Sequence, residues 1–166
     1  MKVFAFEPSP RELGRFYRNI WLNGLYNITV VPYGLSSRSE KLRLLMAKDH
    51  NPGMNSVNDL TEFQAYVQGV DRSFTTLGAV LSPAVLADVQ LCKIDVEGYE
   101  MAILEGMAES ISAMPNATFV VEITSSFLGK RGHTPGDIYR FFEKHGYRPR
   151  FGFKEVLQYD EVFVRA

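Results

Sequence analysis

The sequence is short of the features that would decide its chemistry at a glance. Among 166 residues there is one cysteine, Cys92, so no internal disulfide can form. A reducing compartment, by default the cytoplasm, is the expectation that follows. No apolar stretch approaches the roughly 20 residues of a bilayer-spanning helix. The amino terminus, MKVFAFEPSP, lacks a signal-peptide layout, because Glu7, Pro8 and Pro10 cut its apolar run short. Neither sign of charge dominates: 18 basic against 19 acidic side chains leave a net −1. That balance gives no electrostatic case for nucleic acid or an anionic membrane. The G-x-G-x-x-G turn of nicotinamide-binding folds is missing too, which argues against an oxidoreductase.

What remains is ordinary globular composition, 46% apolar and 22% charged, in a length that suits one domain with a real core. Residues 3–6 form a short continuous apolar run, the pattern of a strand buried on both faces. Ser9-Pro10-Arg11-Glu12 then reads as a helix start, with a serine cap, proline at the first position and glutamate three after the cap. Leu13, Phe16, Tyr17, Ile20 and Trp21 recur on one face, which predicts their burial, and Gly24 marks the stop. Residues 28–33 predict a second strand and residues 41–46 a third. Residues 49–58 (DHNPGMNSVN) read as a polar surface loop. Residues 74–81 suggest a strand or turn, and Ser82-Pro83 opens a short helix.

The pattern is clearer towards the carboxyl terminus. Strands are predicted over 90–94 and 118–123, with Ile103, Met107 and Ile111 on one face of the helix between them. Thr134 caps a helix whose buried face is Ile138, Phe141, Phe142 and His145, ended by Gly146. Residues 147–153 and 156–164 alternate as an antiparallel pair. The order predicts one α/β domain, residues 1–166, with a mainly parallel sheet covered on both faces and antiparallel strands at the end.

Acids collect where these strands end. Glu7 follows the first strand, and Asp95 and Glu97 follow the strand over 90–94 in KIDVEGYEMAIL. Glu122 sits near the end of the next, in VVEIT. Open α/β sheets bind ligands at such carboxyl ends. Glu7 could accept hydrogen bonds from both hydroxyls of a ribose, or could be a corner acid beside a helix terminus. A buried Asp95 could position a substrate hydroxyl, or accept backbone amides from the next turn. Glu97 suits a first helical turn, Gly98 meets a backbone requirement of that turn, and Lys93 is placed to pair with Asp95. Asp95 and Glu122 with His133 could in principle bind a metal, but their spacing matches no metal motif, so no metal is expected. His133, on the side where site loops gather, is the preferred base. His50 reads as solvated and His145 as a helix-end histidine with its positive form favoured.

Taken together, FAFEPSPRELGRFYRNIWLNGLYNITVVPYGLSS, KIDVEGYEMAILEGM and VVEI resemble the FkbM family of S-adenosylmethionine-dependent methyltransferases, over nearly the whole chain. The resemblance implies a Rossmann-like class I methyltransferase sheet and methyl transfer, usually to a hydroxyl of a small molecule, sugar or polyketide. It implies that Glu7, with Pro8 beside it, holds the ribose of S-adenosylmethionine, and that Gly34 and Leu35 approach the adenine. Asp95, with Glu97 close by, should sit near the methyl-donor end. The base would be His133 or one of Asp95, Glu97 and Glu122. The expected partner is a small-molecule or glycan substrate, with no nucleic acid or membrane, and a homo-oligomer stays open.

Two departures qualify the resemblance. Family members normally begin with a strand and glycine-rich turn of the kind DVGANIG, which lies between the strands ending at Glu7 and Asp95. Here the first strand of the family is expected to be missing, implying a fragment, a truncated product or a domain completed by another chain. A non-catalytic methyltransferase-like module is then the second reading. The other departure is Gly78, where the family usually carries an aspartate.

Overall fold

The computed structural model describes residues 1–48, 52–62 and 65–166, so that His50 lies outside the described residues. Strand β1 (Val3–Phe6) leads into helix α1 (Pro10–Leu22) and back to β2 (Ile28–Val31), which pairs with β1 in parallel from Val3↔Ile28 to Phe6↔Val31. The predicted helix start is present, with the Ser9 hydroxyl accepting the Glu12 N–H at 3.3 Å and Pro10 in the first turn. Its predicted buried face is not. Leu13 alone is buried, Phe16 and Ile20 are half-buried, Tyr17 is exposed, and Trp21 is 79% exposed. Strand β1 is half-buried along its length rather than enclosed on both faces, because β2 is its only ladder partner among the described residues.

A second sheet follows. Strand β3 (Gly34–Leu35) pairs in parallel with β5 (Tyr66–Thr75), which pairs antiparallel with β4 (Glu40–Ala47). Sequence periodicity misses most of β5, because Gly69 and Asp71 are poor strand formers. The ladder explains the glycine: a Cβ there would lie 2.5 Å from the Arg43 side chain across the strand pair. The segment expected to be a surface loop is partly interior. Residues 49–51 of it lie outside the described residues; Ser56 and Asn58 are buried, and Ser56 exchanges backbone hydrogen bonds with Leu45.

The third sheet carries the core. Short helices α2 (Leu77–Val80) and α3 (Pro83–Ala87) lead to β6 (Leu91–Ile94) and α4 (Glu100–Met107). Strand β7 (Thr118–Thr124) then runs into α5 (Ser125–Gly129) and α6 (Pro135–Lys144), and β8 (Tyr147–Pro149) and β9 (Gln158–Arg165) end the fold. The strand order is β6-β7-β9-β8, parallel between β6 and β7 and antiparallel thereafter. The antiparallel end is the one expected, although the segment between β8 and β9 is a loop rather than continued strand. Phe119, Phe142 and Phe163 are fully buried, with Phe142 stacked on Phe163 at a 4.0 Å ring separation. Helix α6 has its capping box, Thr134 with Asp137. His145 is half-buried against Phe141, and desolvation together with Lys144 lowers its pKa, so its neutral form is favoured. No helix among the described residues is long and apolar enough to cross a membrane.

Candidate active site

The candidate acids sit at or near the carboxyl ends of parallel strands, Glu7 after β1 in one sheet and Asp95, Glu97 and Glu122 at β6 and β7 in another. At the end of β1, Glu7 donates its N–H to the Val31 carbonyl of β2, which fixes where its side chain starts. One carboxylate oxygen accepts the Ser9 N–H at 2.6 Å. The other has no hydrogen-bond partner among the described residues. Burial raises the Glu7 pKa against the lowering effect of the Ser9 amide. The chemistry of a half-buried carboxylate with one oxygen in reserve fits a ribose hydroxyl. The Pro8 carbonyl is occupied by Arg72 Nε at 2.6 Å, tying this corner to β5. Gly34 is buried under Phe74, whose ring a Cβ would strike at 2.1 Å, and Leu35 is half-buried beside the core.

The turn after β6 is the second component. Asp95 is exposed, not buried as expected, and its Oδ2 pairs with Lys93 Nζ at 2.7 Å. The amides of the turn go instead to Glu100, a residue that sequence reasoning passes over. Its Oε1 accepts the N–H groups of Gly98 at 3.0 Å and Val96 at 3.4 Å. Glu100 is 1% exposed, and its Oε2 has no partner among the described residues. Burial raises its pKa to about 7 despite the amides. The one available signal is the acid at the first position of α4, where the helix dipole and free amides favour it.

Glu97 has φ +55°, a left-handed backbone that non-glycine residues seldom adopt. The strained peptide is held from the neighbouring loop: Asn58 Nδ2 donates to the Glu97 carbonyl at 3.0 Å and the Ser56 hydroxyl at 3.4 Å. Gly98 follows at φ +86°, where a Cβ would come within 2.7 Å of Phe127 backbone atoms. The turn is thus wedged between the 52–62 loop and α5, and the expected backbone requirement for glycine is met twice over.

Glu122, on β7, completes the cluster. Each of Asp95, Glu97 and Glu122 offers an oxygen, all within 4.8 Å of one another. Burial first, then the charges of Glu122, Asp95 and Glu100, raise Glu97 to about 7. Burial and Asp95 raise Glu122 as well, while a 2.8 Å hydrogen bond from Gln158 Nε2 opposes them. Three carboxylates at this spacing can hold a shared proton, a hydroxyl donor or a hard divalent cation. His133 is not one of the gathered side chains. It is half-buried before α6, with its N–H donated to the Leu128 carbonyl. Cys92 is inert, since burial pushes its thiol up to about 12.

A mixed α/β chain with acids gathered at strand ends is given its class by comparison with known proteins. The model of the methyltransferase FkbM domain matches residues 1–149. The chain belongs to the FkbM methyltransferase family. It is 30% identical to "Methyltransferase 1" of Beauveria bassiana (strain ARSEF 2860) over 123 residues, covering 63% of this chain and 48% of that one. It also resembles in fold the crystal structure of methyltransferase FkbM from Methylobacillus flagellatus KT, at TM-score 0.57 and 12% identity. That match covers 98% of this chain and 36% of the other. The chain therefore spans about half or less of the relatives it matches.

Proposed function

We propose that this chain forms the donor and base side of an S-adenosylmethionine-dependent O-methyltransferase acting on a hydroxyl of a small molecule, sugar or polyketide. Bound S-adenosylmethionine supplies an electrophilic methyl group for direct displacement. Glu7 holds the ribose through its free carboxylate oxygen, with Pro8 fixing the corner and Gly34-Leu35 on the adenine side. Asp95 lies towards the methyl-donor end. Glu97 takes the acceptor hydroxyl's proton, and burial, followed by the charge of Glu122, disfavours its ionised form enough to keep its basicity near neutrality. A base poised near the working pH balances ionised fraction against proton affinity. The observation that carries this reading is Glu97, raised to about 7 inside a three-carboxylate cluster at the end of β6.

The finer fold reading belongs here as well. The inner edges of β1 and β6 have no ladder partner among the described residues, and one parallel strand between them would join two sheets into a Rossmann-like whole. The family's glycine-rich strand and turn is the segment that the resemblance assigns to that gap. A reducing, cytoplasmic setting is proposed from the single inert cysteine.

Methyl transfer from labelled S-adenosylmethionine to a panel of hydroxyl acceptors, followed over roughly pH 5 to 9, tests the base. The rate should rise as pH passes through about 7, because the base works only when deprotonated. Glu97→Gln should lower the rate about 10²- to 10⁴-fold and remove that ionisation. A Glu97→Gln protein with the wild-type rate and profile would take Glu97 out of the mechanism.

A further inference from the structure

Among the described residues, most exposed large apolar side chains fall into two groups. One is the uncovered face of α1 and the turn after it. The other is the loop of residues 150–157 between β8 and β9, which presents Phe151, Phe153, Val156 and Leu157, each more than half exposed and Leu157 79% so. The first group lies on the helix and turn between β1 and β2. The second stands beside the acid cluster.

Register puts it there. Strand β9 runs antiparallel to β7 with Gln158 opposite Thr124, so the loop emerges at the same end of the sheet as Glu122. The Leu157 carbonyl accepts the Ser125 N–H at 3.1 Å, and the next side chain, Gln158, bonds Glu122 at 2.8 Å. One residue therefore separates the most exposed leucine from the acid site. Moving outward along the sheet, the order is Asp95 just after β6, Glu122 on β7, then this loop.

The loop is also fixed before any ligand arrives. At its start, Arg150 N–H donates to the Val162 carbonyl at 2.8 Å. Phe151 N–H donates to Glu161 Oε1 at 3.0 Å, and Glu161 is fully buried. The other Glu161 oxygen accepts the Tyr139 hydroxyl at 2.9 Å, and the Tyr139 ring lies edge-on to Phe153 at 6.2 Å. A buried carboxylate committed to a loop amide is expensive unless fully bonded, and here it has three donors. Apolar side chains on a surface pinned at both ends form a contact surface with little ordering entropy left to lose.

We infer that residues 151–157 are the acceptor wall of the site, and that the acceptor is an amphipathic molecule. Its hydroxyl enters the Asp95–Glu97–Glu122 cluster and its hydrocarbon body lies on Phe153, Val156 and Leu157. This assignment rests on the methyltransferase reading, and it narrows the acceptor from any hydroxyl to one carried on an apolar body. A free sugar leaves the wall wet; a hydrophobic chain covers it.

The test compares glucose with n-octyl β-D-glucopyranoside, held below its micelle concentration, by titration and saturation-transfer NMR on the full chain. The octyl compound should bind about tenfold or more tightly than glucose. Leu157→Ser combined with Val156→Ser, and separately Phe153→Ser, should erase that preference without changing S-adenosylhomocysteine binding or the melting temperature. Trp21→Ser, in the other apolar group, should leave it intact. Equal binding of the two sugars, or a preference that survives in the loop variants, would overturn the wall. So would loop-dependent sedimentation of the chain with phosphatidylcholine vesicles in the absence of any octyl glucoside preference, which would make the surface a membrane contact. If wild type keeps the octyl preference yet binds no S-adenosylhomocysteine, the acceptor assignment falls with the methyltransferase reading it rests on. If S-adenosylhomocysteine binds and the preference is absent, the wall alone is rejected.

Discussion

Phe142 and Trp21 both lie on the apolar faces of amphipathic helices that begin with a capped proline turn, yet Phe142 is fully buried and Trp21 is 79% exposed. The difference lies in what each helix meets. Helix α6 packs on a four-stranded sheet whose inner face supplies Phe119 and Phe163, while α1 covers a two-stranded unit with an open edge. Amphipathic spacing reports that a face is apolar; it does not report that a partner is present. The acid cluster is built on the well-packed side, on β6, β7 and the wedged turn between Asp95 and Glu100. Glu7 stands on the sparsely packed side.

Substitutions can sharpen this contrast. The largest effect should come from Phe142→Ala, which removes a stacked, fully enclosed ring and should cost about 3–5 kcal/mol in chemical denaturation. A loss below about 1 kcal/mol would mean that the β6–β9 half is far looser than its packing. Gly98→Ala should come next, at about 2–3 kcal/mol, because it forces a side chain into left-handed backbone and against Phe127. Near-neutral behaviour there would show that the turn can shift away from α5. Trp21→Ala should be the mildest, within about 0.5 kcal/mol. A cost above about 2 kcal/mol would reveal that the α1 face is covered in solution, by a second copy or another segment.

Much of this was legible in the sequence where local chemistry dictates the outcome. The Ser9 and Thr134 caps, the glycine at position 98 and the antiparallel ending follow from short-range rules, and the strand-end acids follow from alternation of strand and helix. What escaped depends on distant neighbours. Strand β5 is stabilised by β3 and β4 on either side rather than by its own propensities. The burial of Ser56 and Asn58 comes from their bonds to the Glu97 carbonyl, some forty positions away in sequence. Asp95 and Glu100 differ in role because the chain reverses between them, exposing the first and turning the second onto the amides. The raised pKa of Glu97 comes first from its burial and then from the acids that meet it, Glu122, Asp95 and Glu100, which no single segment encodes.

The central claim is that the strand ends form a cofactor site with Glu7 on the ribose and the acids of the β6 turn beyond it. Calorimetric titration of S-adenosylhomocysteine into wild type and Glu7→Ala tests this most directly. Saturable one-to-one binding is predicted, weakened about ten- to a hundredfold in Glu7→Ala with no change in melting temperature. No binding to the wild-type chain, or equal affinity in the two proteins, would contradict it.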